Sequence, residues 1–61
     1  MNLTIDGVEI FCESVSFQHR PDGVIVLTIE GLQLKRGLHV INGYKYHVHD
    51  STPFITTCIQ A

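Results

Sequence analysis

The chain carries no tryptophan, two cysteines, two prolines and four basic residues against six acidic ones. Cys12 and Cys58 could form one disulfide at most, which excludes a scaffold stapled by several bridges, and two thiols with no secretory leader read as reduced. The opening Met1-Asn2-Leu3-Thr4-Ile5-Asp6 lacks the basic segment and apolar run of a signal or transit peptide. No apolar stretch nears the roughly 20 residues that span a bilayer. A soluble, cytoplasmic protein with no membrane partner is therefore expected. Arg20, Lys35, Arg36 and Lys45 are the whole basic complement, and the net charge is −2 with histidines neutral. Nucleic acid is a poor partner for such a chain, because phosphate-backbone affinity rests on several lysines and arginines releasing counterions. Helical patterning is missing too: apolar residues never keep the i, i+3, i+4, i+7 spacing over the roughly ten positions a helix needs.

What the chain does have is a set of dipeptides ending in glycine, Asp6-Gly7, Glu30-Gly31 and Asn42-Gly43, each placed between apolar residues. In a two-residue hairpin the flanking residues pair directly and project to the same face. That geometry pairs Ile5 with Val8 and Leu3 with Ile10, Ile29 with Leu32 and Leu27 with Leu34, and Ile41 with Tyr44. Turn chemistry and alternation agree, so the reading is an antiparallel meander. His19-Arg20-Pro21-Asp22-Gly23 is a loop, since proline presets the first turn dihedral and Asp-Gly tolerates the positive ones that follow. Extended segments are expected over Asn2 to Ile5, from Val8, over Val24 to Ile29, Leu38 to Ile41, Tyr44 to His49 and Phe54 to Ile59.

One irregularity is informative. Val8, Ile10 and Cys12 share one parity, whereas Val15 and Phe17 take the other, a slip of one residue that a β-bulge or a sharp bend produces. A single long, bent strand passing from one sheet to another accounts for it, with a break into two separate strands as the alternative. Gly37 suggests a second bulge or corner. About six to seven short strands in so short a chain point to an all-β fold, a small antiparallel meander closing into a barrel or two orthogonally packed sheets, SH3-like or OB-like in shape.

Length sets the energetics. The 61 residues form one domain, residues 1–61, and a chain of that size buries only about 60% of its unfolded surface. Apolar burial and ordering entropy then nearly cancel. Self-association would relieve that shortfall, and Phe11, Val24, Val26 and Val40 are left over once the hairpin faces are assigned. These four are the candidate oligomer interface, most simply of a dimer.

Residues able to carry chemistry are few and unorganised. His47 and His49 stand one residue apart on a strand beside Asp50, but no CxxC or HExxH motif adds the further ligands zinc requires, so no metal or other cofactor is assigned. Ser14, Ser16 and the two cysteines have no motif fixing them against a base, and a barrel this small is expected to fill its interior with side chains, most of the aromatics included. No catalytic residue is named and no enzyme is expected. Binding suits the composition better. Tyr44, Tyr46, Phe11, Phe17 and Phe54 offer stiff contact area, and Arg20, Arg36, Lys45 and His47 could surround it with donors; the candidate binding residues are Arg36, Lys45, Tyr46, His47 and His49. The expectation is a small non-enzymatic protein-binding module, an accessory or inhibitory protein of bacterial or phage origin, acting as a homo-oligomer on another protein. The alternatives are a small anionic ligand or nucleotide held at a subunit interface by Arg36, Lys45, Tyr46 and His47, and single-stranded nucleic acid stacked on aromatics.

Overall fold

A computed structural model of the 61 residues contains seven β-strands and no helix. They are β1 (Asn2–Ile5), β2 (Val8–Phe11), β3 (Ser14–His19), β4 (Ile25–Glu30), β5 (Gly37–Ile41), β6 (Tyr44–Ser51) and β7 (Ile55–Gln60). Every pairing is antiparallel, and one sheet in the order β2-β1-β5-β6-β7-β4-β3 curls into a half-barrel. With no helix present, none is long and apolar enough to cross a membrane.

Two of the three glycine dipeptides make the hairpins their chemistry demands. Asp6 and Gly7 take φ of 51° and 83°, and Asn42 and Gly43 take 49° and 88°. Positive φ at both central residues marks the type I′ turn, whose twist matches that of paired strands. The registers follow: Ile5 opposes Val8, Leu3 opposes Ile10 and Ile41 opposes Tyr44.

Glu30-Gly31 behaves otherwise. Ile29 opposes Val15 on one side and Thr56 on the other, and Leu27 opposes Phe17 and Cys58, so the expected pairs with Leu32 and Leu34 do not form. Glu30 keeps a negative φ, and only Gly31 turns positive, at 83°. A glutamate lacks the short side chain that lets Asn or Asp settle in the left-handed region, so no I′ turn closes here. Gly31 is needed for a different reason: a Cβ there would lie 2.6 Å from Glu13 Cγ and 3.0 Å from its backbone nitrogen. Its N–H donates to Phe54 O at 2.7 Å, and the chain leaves β4 to cross over to β5.

The buried Thr56 hydroxyl ties that crossover down. It accepts from Leu34 N at 3.2 Å and donates to Leu32 O at 2.6 Å. Leu34 is thereby buried in the core, and Leu32 packs against it half-buried. Both leucines reach the core as expected, as part of a crossover loop rather than of a strand.

The parity slip has a direct counterpart. Cys12 N and O pair with Met1 O and N, at 2.8 and 3.0 Å, closing the first hairpin. The next residue, Glu13, donates to Glu30 O at 2.9 Å, although Ser14 is the residue opposite Glu30. Two residues thus face one, as in a bulge. The chain bends at Cys12-Glu13, and in place of one bent strand passing between two sheets there are two strands, β2 and β3, at the two opposite edges of one sheet. A second bulge lies between Val48 and Asp50 in β6.

The core is thin. Leu3, Ile5, Cys12, Leu27, Ile29, Leu34, Ile41, Tyr46, Val48 and Cys58 form its one buried apolar cluster. A fully buried Leu or Ile contributes about 1.5–3 kcal/mol, so each of these side chains is a large share of the total.

Candidate binding site

The barrel does not fill itself. Strands β1 and β3 are not hydrogen-bonded to each other, and between them lies a cleft of about 440 Å³ lined by ten residues, eight of them hydrophobic. That volume is within the range of small-ligand and side-chain pockets. It corrects the expectation of an interior packed solid. The cleft occupies one end of the half-barrel: Leu27 lines it but Ile29 does not, and Tyr44 and Tyr46 line it but Val48 does not. The leucines of the crossover, Leu32 and Leu34, are also absent from its walls.

The aromatics were expected in the core, and only one is there. Tyr46 is buried, whereas Phe11, Phe17, Tyr44 and Phe54 are exposed at 66, 65, 61 and 76%. Phe17 and Tyr44, with Met1, stand around the cleft, and a second, smaller hollow shares Phe17, Tyr44 and Tyr46 and adds His19, Ile25 and Gln60. No carboxylate, ammonium or guanidinium side chain lines the cleft; Asn2 and Asn42 are its polar members. Burial pushes the Tyr46 phenol up, with Cys58 and Tyr44 adding to the rise, so it stays neutral and serves as a donor or apolar wall. Burial also pushes the Cys58 thiol up to about 11. Such a thiol is protonated at neutral pH and a poor nucleophile.

The residues singled out in the sequence are dispersed by the fold. Alternation along β6 sends Lys45 and His47 to the outer face, opposite Val40 and between Leu38 and Ile59, while Tyr46 points inward. His49 is the unpaired residue of the Val48/Asp50 bulge and is exposed like His47; the alternation breaks after it, at Asp50. Arg36 is exposed and lies 3.9 Å from Asp50. Arg36, Lys45, His47 and Tyr46 therefore do not surround one pocket within a single chain. No three His, Cys, Asp or Glu side chains group as metal ligands. Of the candidate interface residues, Val24 and Val26 lie half-buried together around the start of β4, whereas Val40 is on β5 and Phe11 on β2.

One histidine outside that set is organised. The His39 ring donates from Nδ1 to Asp6 Oδ2 at 2.6 Å, and its Nε2 lies 2.8 Å from Lys35 O. Both neighbours are acceptors, so a ring carrying two N–H groups satisfies both. Asp6 also accepts from Val40 N at 2.9 Å, and that bond, followed by the one from His39, holds its carboxyl below the ordinary range. This group joins β1 to β5 and makes no contact with the cleft.

The candidate site thus belongs to an open β half-barrel with an apolar cleft beside an edge strand. No protein-family model, no curated protein and no solved structure matches the chain.

Proposed function

We propose that the chain is a non-enzymatic protein-binding module that accepts an extended segment of polypeptide along β3, with alternate side chains falling into the cleft. In strand addition, main-chain hydrogen bonds supply affinity and pockets for every second side chain supply selectivity. The observation that carries the reading is the juxtaposition of the two parts. Strand β3 is a sheet edge with no lysine, arginine, aspartate, glutamate or proline over Ser14–His19, and its inward residues Val15 and Phe17 line the cleft. Edges meant to stay single are normally short, charged, bulged or covered.

Two buried free thiols support a reducing, cytoplasmic setting, and the size suits an accessory or inhibitory protein of a bacterium or phage. An anionic ligand has less support, since Tyr46 faces away from Lys45 and His47. Single-stranded nucleic acid has less still, because the cleft is without positive side chains.

An end-blocked hexapeptide of alternating threonine and valine provides the test. Titrated into isotopically labelled protein, it is expected to shift the amide resonances of Val15, Phe17 and His19 and the ring resonances of Tyr44. Shifts confined to the outer face, around Leu38 and Ile59, would overturn the assignment of the site.

A further inference from the structure

The hydrogen-bond phase of β3 specifies what its edge can pair with. Arg20 N donates to Val24 O, which continues the β3–β4 register by one more pair. Hydrogen-bonded pairs recur at every second residue of an antiparallel ladder, so Ser14, Ser16 and Gln18 bond to β4. The N–H and C=O groups of Val15, Phe17 and His19 then project from the free edge. These are the residues whose side chains point to the concave face.

We infer that the strand received by β3 is β3 of a second copy of this chain, paired antiparallel about a two-fold axis at Phe17. A two-fold perpendicular to the sheet puts both concave faces on the same side, so inward residues must oppose inward residues. Setting Phe17 against its mate places Val15 against the second copy's His19, and all three residues find partners for both main-chain groups. The alternative symmetric register, Val15 against Phe17, leaves the groups of His19 facing the irregular Glu13.

Charge selects the same occupant. Self-pairing sets a strand against its own sequence, so a charged edge repels itself, and Ser14–His19 has no permanent charge to repel. Glu13 precedes the strand and Arg20 follows it. Arg20 is held by Asp22, 2.9 Å away, so the end of the strand adds no net charge to the pairing. The other edge, β2, is unsuited: it has four residues, and one of them is Glu9.

A standard interface removes about 800 Å² from each partner, about a fifth of the 4104 Å² this chain exposes. Phe17, Tyr44 and Met1, which are 65, 61 and 58% exposed around the cleft, supply its apolar centre. The pairing joins two clefts across the axis, and it answers the thin core of a 61-residue chain.

This inference rests on β3 being a strand acceptor, and the experiment separates the two. Sedimentation velocity over a wide range of concentration is combined with amide hydrogen exchange at Val15, Phe17 and His19. The wild type is expected to be a dimer whose three amides are protected at high concentration and exchange freely on dilution. Phe17→Lys is expected to raise the dissociation constant about a hundredfold or more while circular dichroism stays all-β, and Phe11→Lys to leave it unchanged. Phe17→Cys is expected to form a disulfide-linked dimer on oxidation, because paired Cα atoms about 5.5 Å apart suit a bridge. This variant also decides the matter if Phe17→Lys does not fold. A wild type that stays monomeric at millimolar concentration would overturn the second copy as occupant; protection of the same amides by the threonine–valine peptide would still uphold the acceptor edge. A dimer with those amides unprotected, or one that forms no Phe17→Cys disulfide, would overturn the edge itself.

Discussion

Strand β7 meets β4 and β6 over five Cα pairs each, whereas β1 meets β5 at the single pair Ile5–Ile41. The two seams are held by different means. Along β7 the register is long and the side chains beneath it, Leu27, Ile29, Thr56 and Cys58, are almost wholly removed from water. At the β1–β5 seam, side chains of the turn residues stand in for missing ladder. Asp6 N donates to Val40 O, and Val40 N returns a bond to Asp6 Oδ1; Asn42 N donates to Thr4 O, and Thr4 N returns one to Asn42 Oδ1. Each of the two residues at positive φ therefore turns its own hairpin and fastens a neighbouring strand. A short seam built this way depends on a carboxylate and an amide at the surface, and the long one on burial.

The contrast is sharpest under mutation of the long seam. Ile29→Ala should cost about 2–5 kcal/mol, the range for deleting a buried isoleucine's methylene and methyl groups, read from the urea midpoint. A loss no larger than that of the surface variants below would mean the two seams share the load equally. Thr56→Val keeps the shape but leaves Leu34 N–H and Leu32 C=O without their partner, and should cost about 1–3 kcal/mol. Hydrogen exchange in this variant should quicken at Leu34 before it quickens in β6.

On the short seam, Asn42→Ala should cost about 1–2 kcal/mol, from the left-handed backbone and the lost bond to Thr4. Asn42→Gly relieves the first cost and retains the second, so a smaller loss for glycine separates them by urea denaturation. The smallest effect belongs to Asp6→Asn, which preserves the backbone preference and an acceptor for Val40. The carboxyl of Asp6 is held below its ordinary 3.8 by Val40 N–H and then by His39. A group with a depressed folded pKa stabilises fully above its unfolded value of about 3.9 and loses that contribution as pH falls through the folded value. The wild type should therefore exceed Asp6→Asn in stability at pH 7, and the gap should be narrower at pH 3. An equal gap at both pH values would show that charge is not what this seam uses.

The parts of this architecture visible in the sequence are those written in local chemistry. Asp6-Gly7 and Asn42-Gly43 name their turns because Asp, Asn and Gly accept positive φ, and the change of apolar parity between Cys12 and Val15 marks the bulge. Glu30-Gly31 looked alike but served another purpose, the close approach of Glu13, which depends on a residue far away in the chain. The bulge at His49 left no trace, since His49 and Asp50 are both polar and carry no apolar phase to break. The cleft was hidden for a related reason. It exists because β1 and β3 fail to pair, and a pattern of alternating residues tells which side chains face inward, not whether anything lies across from them. Most of the aromatics therefore read as core, although Phe17 and Tyr44 stand at an opening.

The first residue of the chain lies in that opening: the Met1 amine donates to Cys12 O, and its side chain borders the cleft. An affinity tag fused ahead of it would replace the amine with an amide and start foreign residues beside the cleft. A tag following the exposed Ala61 avoids this. Preparations labelled at opposite ends should for that reason disagree in self-association and peptide uptake.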